Sequence, residues 1–261
     1  MIRFASFLSP VLYDTYQHIA EYVGERLSIP TVLTVEQSPD ALTEGRVDIA
    51  FLCGLLYVHM TSQSTCPVEV LAAPVLQGAR YQGRPIYYSD VIVRRDSPYA
   101  SLDDLQGCTW AYNEEASHSG YNLVCYSLLE RGKTLSHFGR LLKTGSHGAS
   151  LQAVLDGKAD ATAIDSHVLD VLFSQRETLS QQLCVIDMLG PSTIPPIVVS
   201  KRMDVTVKRE IQQVLCTMHQ DPHATCWLRE GLIDRFVPIT DEQYDDVRAM
   251  FARVQGIGGN V

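Results

Sequence analysis

Strand-like and helix-like segments alternate from the start of the chain, and this alternation constrains the fold more than any other feature. IRFASFL, TVLTVEQ, VDIAFLCG and VEVLAAPVL are typical of strands, and helical segments separate them. The first helical segment carries apolar side chains at helical spacing, at Tyr16, Ile19, Ala20, Val23 and Leu27. Strands that alternate with amphipathic helices predict an α/β fold with mostly parallel pairing and crossover helices.

A second run of alternating segments extends from about Pro85 to about Gly190, and a strand and three helical segments follow it. We therefore predict two lobes, each a mixed, mostly parallel sheet flanked by helices and joined to the other by two crossing strands. Lobe 1 is discontinuous, from residues 1–88 and 190–261, and lobe 2 spans residues 89–189. Ligands of α/β sheets bind beyond the carboxyl ends of strands, so a ligand cleft between the lobes is expected. The terminal GIGGN segment is expected to fray.

The composition excludes several classes of partner. The 261 residues carry a formal net charge of −9 and no Lys/Arg-rich stretch, whereas a protein that binds nucleic acid needs a basic face. No window approaches about 18 uninterrupted apolar residues, so no membrane insertion is predicted. The seven cysteines contain no CxxC pair. Neither a disulfide framework nor a zinc site is predicted, and no other metal or cofactor is expected.

A cluster of hydroxyl groups stands in front of a helical segment in NEEASHSGYNLVCYSLLERG. It consists of Ser117, His118, Ser119 and Gly120. The first turn of a helix has backbone N–H groups without intrahelical partners and a partial positive charge. With the hydroxyls, and with a glycine that allows close approach, such a turn suits a tetrahedral oxyanion. The alternative is that one serine is a simple helix cap, and both interpretations stay open.

Three further segments supply candidate ligand-binding residues. His147 lies in the loop KTGSHGAS, in front of a helix, although it also suits an ordinary surface or core histidine. Strand alternation in YYSDVIV places Tyr87 and Ser89 on one face, where a tyrosine is more often part of the core. Asp165 follows the strand-like ATAI, where it suits either a ligand contact or the cap of the next helix.

Taken in order, five segments resemble the phosphonate/phosphate/phosphite-binding proteins of ABC transporters. They are GRVDIAFLCGLLYV, YYSDVIVRRDSPYASLDDLQG, AYNEEASHSGYN, GSHGASLQAVLDGKADATAID and VIDMLGPSTIPPIVVSKRM. The resemblance extends from residue 1 to about residue 240, and the combination is more specific than any single segment. It implies the type 2 periplasmic-binding-protein fold, with two α/β lobes, two hinge strands and a cleft that closes on its ligand.

The resemblance also implies roles for particular residues. A Ser-x-Ser-Gly run that holds phosphonyl oxygens matches the cluster at residues 117–120, where His118 replaces the small hydroxyl residue usual at the middle position. The remaining matches are the strand tyrosine Tyr87, the Gly-x-His loop Gly145 to His147, a looser aromatic match at Tyr57, and the loop from Ser9 to Tyr13 as the other wall of the site. Members that read an aminoalkyl group use acidic residues, and STIPPIVV has none. The resemblance therefore does not extend to an aminoethylphosphonate ligand.

These observations favour a monomeric solute-binding protein that captures a small tetrahedral oxyanion, with an ABC permease as partner if the chain is exported. The N-terminus lacks a basic segment followed by an apolar one. The location is therefore periplasmic if a signal has been removed, and cytoplasmic if Met1 is the native start. The alternatives are a cytoplasmic sensor, or an enzyme of the same fold that acts on a carboxylated or phosphorylated metabolite with His147 or His118 as general base.

Overall fold

The computed structural model describes residues 1–258, so the end of the GIGGN segment lies outside the described residues. Backbone contacts divide the chain into two units. The first unit contains Met1–Ile86 and Thr193–Asp245, and the second contains Tyr87–Ser192 and residues 246–258. Each unit is an α/β structure built around its own sheet.

The described residues form eleven strands and ten α-helices. The strands are β1 (Ile2–Ser6), β2 (Thr31–Val35), β3 (Ile49–Phe51), β4 (Val68–Leu76), β5 (Ile86–Arg94), β6 (Thr109–Tyr112), β7 (Arg140–Lys143), β8 (Ala161–Asp165), β9 (Leu183–Thr193), β10 (Ile197–Ser200) and β11 (Ile233–Pro238). The helices are α1 (Tyr13–Leu27), α2 (Asp40–Thr43), α3 (Gly54–Thr61), α4 (Leu123–Glu130), α5 (His147–Leu155), α6 (Ser166–Gln175), α7 (Glu177–Gln182), α8 (Val205–Thr217), α9 (Pro222–Glu230) and α10 (Asp245–Gly258).

The sheet of the first unit has six strands in the order β11-β4-β10-β3-β1-β2. Strand β1 pairs in parallel with β2 and β3, whereas β10 runs antiparallel to β3 and β4, and β11 runs antiparallel to β4. The sheet is therefore mixed, and the prediction of mostly parallel pairing does not hold for it. Helix α1 buries the predicted stripe, with Ile19 and Val23 fully enclosed, because their spacing places them on one side of the helix.

The sheet of the second unit has five strands in the order β7-β6-β8-β5-β9. Strands β7, β6 and β8 run parallel to one another, and β5 is antiparallel to β8. Its core includes Trp110, whose ring stacks on Phe138 with the ring centroids 4.4 Å apart, together with Leu102, Leu105 and Leu128. Parallel strands end at the same edge of a sheet, so the segments that follow β6, β7 and β8 are brought together.

The structure differs from the prediction in two places near the C-terminus. Strand β11 was not predicted, because Ile233–Pro238 lies between two helical patterns and includes charged side chains. Residues 246–258 belong to the second unit, although the sequence suggested lobe 1. In α10, Asp246 accepts a hydrogen bond from the Ser192 hydroxyl at 3.2 Å, and Arg253 pairs with Glu130 at 3.0 Å. These contacts join residues that are far apart in the sequence, so no local sequence pattern predicts them.

Candidate functional site

The carboxyl ends of the parallel strands in the second unit carry most of the predicted site residues. Asn113 follows β6, Gly145 follows β7, and Asp165 is the last residue of β8. The two loops are joined directly, because the Gly145 N–H donates to the Asn113 carbonyl oxygen at 2.9 Å. The structure therefore brings the hydroxyl cluster and the His147 loop to one edge of one sheet.

The hydroxyl cluster opens a π-helical turn, His118–Asn122, that continues into α4. Ser117 is extended, and its hydroxyl oxygen accepts a hydrogen bond from the Gly120 N–H at 3.0 Å, so the prediction that one serine caps the helix is confirmed. This cap satisfies only one amide. Among the described residues, the backbone N–H groups of His118 and Ser119 have no hydrogen-bond acceptor. Such a turn keeps donors available, and π-turns are frequent at functional sites.

Glycine at position 120 is required by close packing. A Cβ atom placed on Gly120 would lie 1.9 Å from Asn113 Oδ1, far inside the distance of any real contact. The Asn113 side chain is buried, and its Oδ1 atom has no hydrogen-bond partner within the described part of the chain. Gly120 therefore allows the turn to lie against the side chain that follows β6.

Ser119 and His147 face each other across the two loops. The Ser119 Oγ atom lies 3.4 Å from His147 Nε2, and the other ring nitrogen of His147 is buried without a partner among the described residues. Burial lowers the pKa of the His147 imidazole to about 4, so the ring is neutral near pH 7. A neutral imidazole has one donor nitrogen and one acceptor nitrogen, and the hydrogen bond it makes decides which is which.

Ser89 and Tyr87 lie on the face of β5 that meets the turn, as strand alternation predicted. The Ser89 hydroxyl donates to the Ser119 carbonyl oxygen at 2.6 Å. Its proton is therefore used to position the turn, and the prediction that it contacts a ligand needs this correction. Tyr87 is buried, and its ring centroid lies 6.3 Å from that of His118.

His118 faces the protein interior. Its side chain is fully buried, with Nε2 2.9 Å from the Ser192 hydroxyl and Nδ1 3.1 Å from the Asn122 side-chain nitrogen. Burial lowers the pKa of His118 to about 4. Both ring nitrogens contact protein groups in this structure, and a ligand role for this side chain stays a prediction. The backbone N–H of His118 is the group that the turn leaves available.

Asp165 is the N-cap of α6. Its Oδ1 atom accepts hydrogen bonds from the backbone N–H groups of His167 at 2.8 Å and Val168 at 3.3 Å. The capping interpretation is thus confirmed for this side chain. The pKa of Asp165 is raised to about 7, mainly because the carboxyl group is buried. The two amides oppose this rise, and the nearby Asp90 adds to it.

The negative charge of Glu115, which lies next to the turn, is balanced by a positively charged side chain. Glu115 pairs with Lys143 and accepts a hydrogen bond from the Tyr112 hydroxyl at 2.8 Å. The hydrogen bond from Lys143 is the main reason that the pKa of Glu115 falls to about 2. Because its charge is balanced within the pair, this carboxylate is a weak obstacle to an anion at the turn.

Three of the predicted site residues lie in the first unit. Ser9 caps a short 3-10 turn, with its hydroxyl 3.4 Å from the Val11 N–H, and Tyr13 begins α1. Tyr57 is buried on α3, where its hydroxyl donates to Asp241 at 2.5 Å and its ring meets Tyr244 edge to face. A ligand role for these residues stays a prediction.

Sequence reasoning missed four residues around the turn: Asn113, Asn122, Ser192 and Asp246. Asn113 had a usable signal, since it is a polar residue directly after a buried strand. Ser192 and Asp246 had none, because Ser192 contacts His118 from 74 positions away in the chain and Asp246 contacts Ser192 from 54 positions away. Residues 1–258 include no group of three or more His, Cys, Asp or Glu side chains arranged to hold a metal ion, and no helix long and apolar enough to span a bilayer.

Comparison with solved structures defines the class of fold. The chain is similar to a binding protein component of an ABC phosphonate transporter from Pseudomonas aeruginosa, with a TM-score of 0.82, 19% identity and coverage of 97% of this chain and 86% of the other. It is also similar to PhnD1 of Prochlorococcus marinus in complex with methylphosphonate, with a TM-score of 0.85, 16% identity and coverage of 97% and 98%. The fold is that of type 2 periplasmic binding proteins.

Comparison of sequences defines the family. The sequence model of the family described as ABC transporter, phosphonate, periplasmic substrate-binding protein matches residues 2–244. This chain belongs to that family, as its order of segments predicted. It is 26% identical over 223 residues to the phosphonates-binding periplasmic protein of Escherichia coli strain K12, and the match covers 83% of this chain. The chain spans 64% of the length of that relative.

Proposed function

We propose that this chain is the solute-binding component of an ABC transporter and that it captures a small tetrahedral oxyanion, of the phosphonate, phosphate or phosphite type, at the turn from Ser117 to Asn122. One observation carries the proposal. The turn opens α4 and has two backbone N–H groups, of His118 and Ser119, without acceptors among the described residues. Donors at a helix N-terminus are suited to a negatively charged oxygen.

The neighbouring side chains extend this set of donors. The Ser117 oxygen accepts from Gly120, which leaves its own proton available, and the Ser119 hydroxyl lies next to the neutral ring of His147. A tetrahedral oxyanion of this type presents three or four oxygens, each with more than one lone pair, so it can accept from both serines and both amides together. Hydrogen bonds to a charged group contribute about 1.5–3 kcal/mol each. A few of them at one turn support binding without a metal ion.

The same geometry favours binding over catalysis. A histidine base is normally oriented by a third group, and among the described residues the buried Nδ1 atom of His147 has no such partner. His118 has both nitrogens occupied by Ser192 and Asn122. The family, moreover, is described as a binding component of a transporter. An enzyme or sensor of the same fold is therefore not favoured.

The site also favours a particular range of ligands. The segment Ser192–Val199 contains no acidic residue, and Asp165 uses its carboxylate to cap α6. Methylphosphonate, phosphite and phosphate are the expected ligands, and 2-aminoethylphosphonate is expected to bind more weakly because its ammonium group finds no dedicated carboxylate. In agreement with the family description, we infer a periplasmic protein with an ABC permease as partner, and we propose that it is a monomer.

Calorimetric titration and thermal unfolding with a panel of anions test the proposal. Methylphosphonate, phosphite, phosphate, sulfate, 2-aminoethylphosphonate and citrate are compared at equal concentration. A ligand at about 100 times its Kd stabilises the fold by about 2.7 kcal/mol, so a phosphorus oxyanion should raise the melting temperature and citrate should not. If citrate or another carboxylate alone shifts the melting temperature, or if a candidate ligand is consumed, the proposed function is wrong.

A further inference from the structure

A chain of buried hydrogen bonds connects the anion-binding turn to the C-terminal helix of the second unit. Asn122 lies 3.1 Å from one ring nitrogen of His118, and Ser192 lies 2.9 Å from the other. The Ser192 hydroxyl in turn donates to Asp246 Oδ2 at 3.2 Å. His118, Asn122 and Ser192 are at most 2% exposed, so water cannot replace these bonds when one is lost.

The four groups have one consistent set of donor and acceptor roles. The side-chain nitrogen of Asn122 can only donate, so His118 Nδ1 accepts and the ring proton lies on Nε2. That proton is donated to the Ser192 oxygen, whose own proton goes to the Asp246 carboxylate. With the other tautomer, Ser192 would donate to the ring, and its oxygen would face the carboxylate without a proton between them. The side-chain nitrogen of Asn122 and the carboxylate of Asp246 therefore both select the Nε2–H tautomer of His118.

The chain also spans the π-turn. His118 is its first residue and Asn122 its last, so the bond between their side chains closes the turn from the inside. The same turn carries the backbone N–H groups of His118 and Ser119, which have no acceptor in the described chain. The direction of these N–H groups depends on the local backbone, and the backbone is held by the side-chain bond.

We propose that His118 is a positioning residue for anion binding: as an Nε2–H imidazole held by Ser192 and Asp246, it fixes the turn whose amides receive the ligand. This inference rests on the proposed function and adds residues to it. It assigns a role to Ser192 and to Asp246 of α10, neither of which belongs to the hydroxyl cluster. Burial, which keeps the pKa of His118 near 4, is consistent with a neutral ring.

Two variants and a matched control test this assignment. Ser192→Ala removes the link between the ring and the carboxylate, and Asp246→Asn keeps the shape of the side chain while removing its charge. Asp103→Asn is the control, because Asp103 is an exposed residue of the same unit that pairs with Lys133. Circular dichroism and thermal unfolding first establish that all three proteins are folded.

Imidazole nitrogen chemical shifts, measured by NMR on the full chain, give a readout that a merely structural role would not affect. The wild type and Asp103→Asn should show the Nε2–H tautomer of His118. In Asp246→Asn the new amide can donate to Ser192, which then donates to the ring, so the Nδ1–H tautomer should appear, with the Asn122 amide turned so that its oxygen accepts from Nδ1. Methylphosphonate affinity should fall about tenfold in Ser192→Ala and Asp246→Asn, the effect of one buried hydrogen bond.

The outcomes separate this inference from the proposed function. If wild-type protein binds neither methylphosphonate nor phosphate, the proposed function itself fails. If the wild type binds methylphosphonate but both variants bind it as tightly as Asp103→Asn does, His118 does not position the turn. A wild-type spectrum with the Nδ1–H tautomer, or with a charged ring at pH 7, would likewise overturn the inference.

Discussion

Two helices of the second unit begin at the same edge of the sheet, but the hydrogen bonds of their first backbone N–H groups differ. At α6, one carboxylate oxygen of Asp165 accepts from the amides of both His167 and Val168. At α4, the Ser117 hydroxyl accepts only from Gly120, and the amides of His118 and Ser119 have no acceptor among the described residues. Both helices have the dipole that favours anions.

The difference shows that the capping side chain, more than the dipole, decides which helix start suits an anion. A carboxylate cap brings its own negative charge and satisfies the amides, so a second anion would be repelled. A serine cap is neutral, keeps a proton to donate, and leaves amides available because the π-turn is one residue wider than an α-turn. The experiments below test this contrast, from the largest expected effect to the smallest.

The largest effect is expected from Gly120→Ala. The added methyl group would lie 1.9 Å from Asn113 Oδ1, so the turn or the asparagine must move. We expect a loss of about 1–3 kcal/mol in the free energy of unfolding, as for other overpacked sites. Methylphosphonate affinity should fall by more than about tenfold. Chemical denaturation and calorimetric titration measure the two quantities.

Gly148→Ala is the matched control for this change. Gly148 lies in the first turn of α5, and a Cβ placed on it meets no atom within 4 Å. The free energy of unfolding of the Gly148→Ala protein should stay the same or rise by up to about 1 kcal/mol, because alanine favours helix more than glycine does. If Gly148→Ala weakens binding as much as Gly120→Ala does, the close contact with Asn113 is not the cause.

Intermediate effects are expected from the two serines. Ser119→Ala removes a hydroxyl whose nearest partner is His147 Nε2 at 3.4 Å, so stability should change little. Methylphosphonate affinity should fall about tenfold, the value of one hydrogen bond to a charged group. Ser117→Ala should weaken binding as well and, in contrast, cost about 1 kcal/mol of stability because the helix cap is lost. Equal affinities in wild type and Ser119→Ala would mean that this hydroxyl is not a ligand contact.

The smallest effect on ligand affinity is expected at α6, where the change should be a pH dependence of stability. The pKa of Asp165 is raised to about 7, so between about pH 4 and pH 7 the folded state binds more protons than the unfolded state. Stability from this group is therefore present at low pH and is lost as the pH rises through about 7. Asp165→Asn should remove that slope from the free energy of unfolding, measured by denaturation at several pH values.

Asp204→Asn provides the comparison of opposite sign. Asp204 caps α8 from an exposed position, and the hydrogen bond from the Thr206 N–H is the main reason that its pKa is lowered. Its contribution should be present at neutral pH and should be lost as the solution becomes acidic. Parallel pH profiles for the two variants would contradict the assignment of a raised pKa to Asp165.

Much of the fold was predictable because it follows from local patterns. The stripe from Tyr16 to Val23 is buried as its helical spacing indicated. Strand β11 was missed, because two charged residues separate its buried residues, Ile233 and Phe236, and the alternation of a strand is absent. The placement of α10 was also missed, because its partners lie at Glu130 and Ser192.

For the site, residue types and spacing identified the segments but could not assign every side chain its role. Ser117 and Asp165 behave as caps, which their positions before helices indicated. Ser89 and His118 were expected to face a ligand, and in the structure they hold the turn through a backbone carbonyl and through Ser192. The alternation of a strand predicts on which face of the sheet a side chain lies. It does not predict which atom will be its hydrogen-bond partner on that face.

By itself, the sequence determined the α/β class, the two runs of elements, the family and the helix start at Ser117, which it also predicted as the place for an anion. These depend on periodicity, capping residues and glycines, which act over a few neighbouring positions. Only the tertiary structure decided that Asn113 faces Gly120, that Asp246 reaches Ser192, and that the imidazole of His118 points inward. Such contacts join residues that are distant in the chain, and only close packing in three dimensions brings their atoms together.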